Sequence, residues 1–188
     1  MKIENVQVYG LDESIRRAKF PMSVNTYSLN NELTKGVAAL AKSKSGEGHD
    51  QWLTGVVVQF DVTGTLKWWT EAQRYHFLDF VSSQSTMHRI TKFDIASQCN
   101  YYVCINTVEL LNKLVENYNA DPTLKNYLTV LYNIPTGFQL TAGMTTNYRQ
   151  LKTIYKQRKN HRLPEWSYFC KWIESLPNSE LIVGDMSE

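Results

Sequence analysis

The alternation of apolar and polar positions predicts two strands in the first third of the chain. Residues 2–9 alternate loosely, and Gly10 ends the segment. In residues 56–62 the alternation is strict, with one face made of Val56, Val58, Phe60 and Val62. A period of two over such a stretch is typical of a strand with one buried face. Residues 56–62 are therefore the clearest predicted strand.

Apolar residues at helical spacing predict helices on both sides of that strand. Asp12 is predicted to cap a short helix that ends before Pro21, and Asn31 or Thr34 to start the next one. The stretch 43–50 contains two Gly among small polar residues, which indicates a turn. Further helices are predicted over 66–77, 106–118, 121–131, 145–160 and 166–173.

The later half of the chain is mostly helical in this prediction. Asn106 or Thr107 is predicted to cap the helix over 106–118, and Asp121-Pro122 to open the following one with Pro in its first turn. Residues 90–104 are ambiguous: the β-branched and aromatic content of 101–105 favours a strand, but a helix that continues from there is also possible. Strands early and helices late indicate an α+β fold.

Length and composition indicate one globular domain. The chain has 188 residues, of which 43% are hydrophobic and 12% aromatic. That is enough to bury a substantial core, and the composition is typical of folded proteins. We predict a single α+β domain over 1–177, followed by a polar, mobile tail over 178–188.

Charge and cysteine content narrow the function classes. A formal net charge of +2 gives no indication of nucleic-acid binding, although an anionic small molecule is compatible with it. Cys99, Cys104 and Cys170 form no metal-type pair, so we expect a reducing, cytoplasmic compartment, and their role stays open. Because the N-terminus lacks an apolar signal core and no run reaches about 18 apolar residues, we expect neither export nor membrane insertion.

The segment 68–89 combines aromatic side chains with more potential ligand-binding groups than any other window. Its polar run, residues 82–88, suits an extended loop that wraps a polar ligand. Its aromatic residues are equally typical of a buried core, since Trp and Tyr are usually largely buried. Both interpretations stay open for the individual aromatic residues.

His49 and Asp50 lie directly before the clearest strand. They are interpreted either as part of a turn and cap, or as an imidazole that faces a ligand and is oriented by the carboxylate. No two of the four His residues are spaced as metal ligands on a helix, so no metal site is predicted. The sequence contains no nucleophile–base motif, P-loop or Gly-rich dinucleotide fingerprint.

The helix predicted over 145–160 carries a distinctive stripe. Asn147, Leu151 and Arg158 fall within about 40° of one another at 100° per residue, whereas Arg149 points to the opposite side. An Arg on the same stripe as a core Leu either extends its charged head to solvent or holds an anion. Both interpretations of Arg158 stay open.

In this layout the chain resembles the flavin-dependent thymidylate synthases, and in particular a diverged member of the kind that phages carry. The family has an R-A-A-R helix, a G-H-E turn and an alternating strand, whose places are taken here by 15–19, 48–50 and 56–62. Its signature R-H-R-x-x-S-x-N-E-x-S-x-R-Y ends the next helix, where this chain has 74–88. The later family pattern of L-P, N-x-R-x-L and a further Arg corresponds to Pro135, Asn147, Arg149, Leu151 and Arg158.

Several family positions differ in this chain. Aligned from its Ser, the signature matches His76 and Ser85, but the family's Arg, Arg, Arg and Tyr are replaced by Tyr75, Phe77, Met87 and His88. Aligned from its first Arg, it matches Arg74 but loses the Ser, which indicates an extra residue between the two parts. Thr141-Ala142 stands where the family has a phosphate-binding Arg, and the E-I-R after the last Trp has no counterpart. Each hydrogen bond from Arg to phosphate is worth about 1.5–3 kcal/mol, so nucleotide binding is expected to be weaker unless other cations compensate. The candidates for compensation are Arg74, Arg89, Lys156 and Arg162.

The resemblance implies an antiparallel sheet with helices and a homotetramer that binds FAD between subunits. It implies dUMP as the acceptor of a one-carbon unit, with NADPH and methylenetetrahydrofolate as co-substrates. It also implies catalytic roles for Arg158 and Glu71 and nucleotide contacts for Arg74 and Arg89. The implied flavin contacts are His49, His76, Gln84, Ser85, Asn147, Arg158 and His161.

Two functions remain open. The first is a flavoprotein methyltransferase of the thymidylate synthase type, which the retained Asn147, Leu151 and Arg158 favour. The second is a non-catalytic phage binding protein on the same scaffold that sequesters a nucleotide or inhibits a host defence protein, which the missing arginines favour. Either protein is expected in the cytoplasm, which is that of the bacterial host if a phage encodes it.

Overall fold

A four-stranded antiparallel sheet forms the centre of the computed structural model, which describes residues 1–44 and 46–184. The strands are β1 (Lys2–Tyr9), β2 (Val57–Thr65), β3 (Asp79–Ser83) and β4 (Gln139–Asn147), in the spatial order β1-β2-β4-β3. The two predicted strands are confirmed as β1 and β2. The predicted fold class, an α+β fold with an antiparallel sheet, is confirmed as well.

The sheet buries one face because side chains alternate along its central strands. On β2 the residues Val58, Phe60 and Val62 are buried, and β4 buries every second residue from Leu140 to Thr146. The opposite face is polar and half-exposed, with the hydroxyls of Thr63 and Thr141 2.8 Å apart across the β2–β4 pair. This alternation gives each strand one core side and one polar side.

Two of the predictions for the sheet are wrong. Residues 145–147, predicted as the start of a helix, belong to the central strand β4. The run 82–88, predicted as an extended loop, divides into the end of edge strand β3 and the short helix α4 (Thr86–Arg89). Strand pairing explains both differences, since Phe80, Ser82 and their neighbours pair with β4 over a long sequence separation.

Helices surround the sheet, and most of the predicted ones are confirmed. Besides α4, the structure contains α1 (Leu11–Ala18), α2 (Lys35–Ala41), α3 (Leu66–Ala72), α5 (Ile95–Gln98), α6 (Ile105–Ala120), α7 (Leu124–Tyr132), α8 (Tyr148–Arg158), α9 (Pro164–Glu174) and α10 (Glu180–Val183). Short 3₁₀ turns occupy Phe20–Met22, Thr26–Ser28, Gln51–Gly55 and Ile90–Lys92. Helix α3 is shorter than predicted, because it ends at Ala72 instead of running toward Phe77.

The helix starts test the capping predictions. Thr34 caps α2 as predicted, since its hydroxyl accepts a hydrogen bond from the Val37 amide at 3.3 Å. Asp12 does not cap α1, because Gly10 holds the cap position with φ 73°. A Cβ at Gly10 would lie 2.6 Å from the Gly55 carbonyl oxygen, so only glycine fits there.

The starts of α6 and α7 differ from the predicted ones. Helix α6 begins at Ile105, before the predicted caps Asn106 and Thr107, and residues 101–104 form a turn before it instead of a strand. Helix α7 is capped by Thr123, whose hydroxyl accepts a hydrogen bond from the Asn126 amide at 3.3 Å. Pro122 therefore precedes this helix instead of lying in its first turn.

One apolar cluster joins the buried face of the sheet to helices α3, α8 and α9. The rings of Trp68 and Trp166 lie 5.4 Å apart, and those of Phe60 and Trp172 lie 4.5 Å apart. Leu151 of α8 is fully buried in the same cluster. The interpretation of Trp68 and Trp69 as core residues is therefore correct. This packing fixes α8 against the sheet.

The C-terminal segment is part of the fold. Residues 178–184 of the predicted polar tail contain α10, whose Leu181 and Ile182 are buried in the core, while the predicted mobility stays a prediction. The Tyr148 hydroxyl of α8 donates a hydrogen bond to the Pro177 carbonyl and ties this segment down. The rest of the predicted tail, 185–188, lies outside the described residues. Within the described ranges, no helix combines the length and the apolar character needed to cross a membrane.

Candidate functional site

A groove of about 1260 Å³ runs along helix α8. Its walls come from α8, from the turn that precedes β2 and from the C-terminal segment. The residues that line it include Lys42, Lys44, Asp50, Thr54, Phe77, Asn147, Arg149, Lys152, Thr153, Tyr155, Lys156, Lys159, Leu181 and Ile182. Among the residues that the structure describes, six cationic side chains and one carboxylate face this groove, so it is suited to an anion.

Four of these cations form a stripe along α8. Arg149, Lys152, Lys156 and Lys159 are separated by three, four and three positions, which places them on one face of a helix. The spacing is visible in the sequence. The predictions nevertheless rested on the stripe of Asn147, Leu151 and Arg158 and missed the cationic one, although both follow the same period.

Asp50 anchors the N-terminal half of this stripe. Its carboxylate accepts hydrogen bonds from Arg149 Nε at 3.0 Å and from Lys152 Nζ at 2.8 Å, and its side chain is 4% exposed. Lys152 also donates to the carbonyls of Ala41 and Ser43, at 2.7 Å each. Burial raises the pKa of Asp50, but the hydrogen bonds and charges of Lys152 and Arg149 outweigh it and hold that pKa below its usual value. Asp50 is therefore ionised at neutral pH.

A second cluster lies on the other side of α8, around Glu71. The Glu71 carboxylate accepts hydrogen bonds from Arg158 at 3.1 Å and from the Trp166 indole at 2.9 Å, and Lys67 lies 3.1 Å from it. The Arg158 guanidinium lies over the Trp166 ring, 4.7 Å from its centroid, and its Nε donates to the Tyr75 hydroxyl at 2.6 Å. Arg158 is thus held by an anion, a ring and a hydroxyl at once.

The charge of Glu71 is stabilised by the same contacts. Burial raises the pKa of Glu71, but the hydrogen bonds from Trp166 and Lys67 and the nearby charges outweigh it, so this pKa also lies below its usual value. His161 faces the cluster, with Nε2 3.6 Å from a Glu71 oxygen. Its Nδ1 accepts a hydrogen bond from the Leu163 amide, which leaves the proton of a neutral imidazole on Nε2.

The structure brings some of the predicted site residues together. Glu71 and Arg158, the predicted catalytic pair, form the ion pair described above, and His161 joins them. Asn147 lines the groove and also caps α8, where its side chain accepts a hydrogen bond from the Gln150 amide at 2.9 Å. Arg149 and Arg158 contact different carboxylates, in agreement with the prediction that they point to opposite sides of the helix.

Other predicted site residues lie outside both clusters. His49, His76, Arg74 and Arg89 are exposed, and none of them lines the groove. Gln84 pairs with the Thr141 backbone through two hydrogen bonds of 2.9 Å each, which extends the β3–β4 pair by one residue. Ser85 caps α4 through its backbone carbonyl. Over residues 1–44 and 46–184, no three His, Cys, Asp or Glu side chains are grouped so that they could hold a metal ion.

In comparisons with known proteins, this chain matches solved structures. No protein-family model and no curated protein matches this chain. A crystal structure of the flavin-dependent thymidylate synthase ThyX from Helicobacter pylori, complexed with FAD and dUMP, superimposes with a TM-score of 0.77 at 14% identity. A second structure of that protein with FAD and dUMP gives 0.73 at 14% identity. In both, the match covers 98% of each chain, so the fold of the flavin-dependent thymidylate synthases is shared over essentially the whole length.

Proposed function

We propose that this protein binds FAD in the α8 groove and transfers a one-carbon unit to dUMP, as a diverged enzyme of the flavin-dependent thymidylate synthase type. The observation that carries the proposal is the cationic groove on a fold shared with proteins that bind FAD and dUMP. At 14% identity the likeness concerns the fold, so the ligand is inferred from the chemistry of the groove.

The groove fits a dinucleotide in size and charge. Its volume of about 1260 Å³ exceeds the roughly 300–1,000 Å³ of common small-molecule sites. A diphosphate needs several donors with positive charge, and Arg149, Lys156 and Lys159 supply them on one face. Thr54, Asn147 and Thr153 add neutral polar groups to the same walls. These residues are the ones that we expect to hold the cofactor.

The roles of the chain's own groups follow from their contacts. A guanidinium carries five N–H donors, and the contacts of Arg158 with Tyr75 and Glu71 use two of them. Arg158 lies on the other side of α8 from the groove, so its proposed catalytic role, with Glu71 keeping the guanidinium in place, requires the pyrimidine to reach that side. When bound, reduced FAD supplies the hydride for the one-carbon unit. NADPH and methylenetetrahydrofolate are the proposed co-substrates.

The exposed predicted residues are assigned to a neighbouring subunit's site. His49, His76, Arg74 and Arg89 lie on the surface of the single chain, away from the groove lining. In a homotetramer such residues can complete a site formed between subunits. Gln84 and Ser85 follow the edge strand β3 and are proposed to reach the cofactor from there.

Absorption spectroscopy and turnover test the proposal. The purified protein, or the protein incubated with FAD and passed over a desalting column, should show flavin absorption. A Lys156→Glu/Lys159→Glu variant should lose that uptake because two groove cations become anions. The control is Lys125→Glu, which changes an exposed lysine of α7 outside the groove. The FAD-loaded protein should convert dUMP to dTMP when NADPH and methylenetetrahydrofolate are present. A colourless wild type that takes up no FAD contradicts the proposal.

A non-catalytic binding protein is the second candidate, and one observation favours it. With the signature aligned from its Ser, two of the family's arginines are replaced by Tyr75 and Phe77, and the hydroxyl of Tyr75 is already engaged with Gln157 and Arg158. In this alternative the protein sequesters a nucleotide or inhibits a host defence protein. FAD uptake without dTMP formation, together with tight binding of dUMP in a thermal melt, would support this candidate instead of the enzyme.

A further inference from the structure

Phe77 is an exposed aromatic residue in a backbone conformation that bulky side chains rarely adopt. Its φ is 61°, and its side chain is 66% exposed. A positive φ is strained in a residue of this size and persists only where the surroundings impose it. Such outliers cluster at ligand sites, and Phe77 lines the α8 groove.

The neighbours of Phe77 hold it there. Two residues earlier, the Tyr75 hydroxyl donates to the Gln157 side chain at 2.9 Å and accepts from Arg158 at 2.6 Å, which fastens this segment to α8. One residue later, Leu78 is 2% exposed and packs in the core. The chain has a positive φ at Phe77 and leaves its side chain exposed, and Phe77 lines the same groove as Lys156 and Lys159.

We propose that Phe77 is a stacking platform for the planar heteroaromatic ring of a nucleotide whose phosphates lie on the α8 cations. A ring beside several cations is the combination that binds nucleotides, because the base stacks while the phosphates pair with charge. The inference rests on the proposed function only in that the groove holds a nucleotide. It does not depend on catalysis.

Binding measurements with and without a ring on the probe test this inference. We expect Phe77→Ala to weaken FAD and ADP binding about 5- to 100-fold, the loss typical of one stacked base. Inorganic pyrophosphate, which has no ring, should bind both proteins equally. Phe77→Tyr and Phe77→Trp should restore the affinity for FAD. Tyr132→Ala is the matched control, since Tyr132 is 86% exposed on α7 and lies outside the groove.

The outcomes separate this inference from the proposed function. Wild-type protein that binds FAD and ADP no more tightly than pyrophosphate would overturn the stacking role. Equal losses for pyrophosphate and FAD in Phe77→Ala would overturn it as well, because they would indicate a general distortion of the groove. An oligothymidylate that binds more tightly than FAD, with the same dependence on Phe77, would replace the proposed ligand class by single-stranded nucleic acid. If no dTMP forms, only the proposed enzymatic activity is contradicted. The stacking role of Phe77 is decided by the binding measurements alone.

Discussion

Asp50 and Glu71 are both carboxylates that contact two cationic side chains, but their surroundings differ. Each carboxylate contacts two cationic side chains within about 3 Å, Arg149 and Lys152 in one case and Arg158 and Lys67 in the other. At Asp50 the anion is buried and the cations line the open groove. At Glu71 the principal cation, Arg158, is covered by the ring of Trp166. The first arrangement leaves two cations at the groove, whereas the second encloses its principal cation against a ring.

The charge balance supports this distinction. Arg149 and Lys152 together carry two positive charges against one negative charge on Asp50, so this part of the groove keeps a net positive charge. At Glu71 the guanidinium of Arg158 is shared with a hydroxyl and stacked on an indole. Both pairs cost desolvation, and a partner that is removed leaves the other charge uncompensated. Substitutions should therefore separate the proposed ligand-binding role of the Asp50 cluster from the stabilising role of the Glu71 cluster.

The largest effect on stability is expected for Glu71→Ala. It removes the acceptor of both Arg158 and the Trp166 indole, while both of those groups stay largely enclosed. We expect a loss of about 2–3 kcal/mol in the free energy of unfolding, somewhat below the roughly 3–5 kcal/mol of a fully buried pair. Urea unfolding measures it, and Glu71→Gln should recover part of the loss because its amide oxygen can accept from the indole. Glu116→Ala, an exposed carboxylate on α6, is the control. A Glu71→Ala protein as stable as the wild type would show that the cluster is no brace.

Asp50→Asn is expected to have a smaller effect on stability. Lys152 keeps its two backbone acceptors, the carbonyls of Ala41 and Ser43, so only the charged component at Asp50 is lost. We expect a loss of about 1–2 kcal/mol, in the range of charge-assisted hydrogen bonds. FAD affinity should fall in parallel, because a neutral amide orients Arg149 less firmly than the carboxylate does, whereas Glu71→Gln should leave that affinity nearly intact. Asp79→Asn, an exposed carboxylate on β3, is the control. If Asp50→Asn and Glu71→Gln changed the affinity for FAD equally, the proposed difference in role between the two clusters would be contradicted.

The effect of Asp50 should disappear in acid. Its folded-state pKa lies below the usual value of 3.8, so its contribution to stability is present above that value and is lost as the pH falls through the folded-state pKa. The difference in unfolding free energy between wild type and Asp50→Asn should therefore be constant near neutral pH and shrink below about pH 4. Urea unfolding across a pH series measures this difference. A difference that grows in acid would contradict the assignment of an ionised Asp50.

The parts of the structure that sequence patterns predicted are the local ones. The alternation in 56–62 identified β2, and the opposite directions of Arg149 and Arg158 followed from helical geometry alone. Strand β4 was missed because its last residues, Thr145–Asn147, run directly into α8 and share the helical register of the N-x-R-x-L pattern. Only pairing with β2 and β3 distinguishes these residues as a strand.

The contacts that build the two carboxylate clusters are not local. Asp50 meets Arg149 across 99 positions, and Glu71 meets Arg158 across 87. The apolar segments indicated that a core forms, but which polar groups meet depends on how the sheet orders its strands. The cationic stripe of α8 is the exception, because its period is visible in one segment. A search for charged as well as apolar periodicity would have found it.

The smallest effect is expected at the exposed end of the Glu71 cluster. Lys67 pairs with Glu71 at a separation of four residues, but its side chain is 52% exposed. Such pairs contribute about 0.2–0.5 kcal/mol, and the order Lys before Glu is the weaker orientation on a helix. Lys67→Met should therefore lower the unfolding free energy by less than about 0.5 kcal/mol, with Lys113→Met on α6 as the control. A double-mutant cycle with Glu71→Gln measures the pair itself. A coupling energy between Lys67 and Glu71 as large as that between Arg158 and Glu71 would mean that charge alone holds the cluster together. A small coupling energy would mean that the enclosed guanidinium of Arg158 and the indole of Trp166 stabilise it.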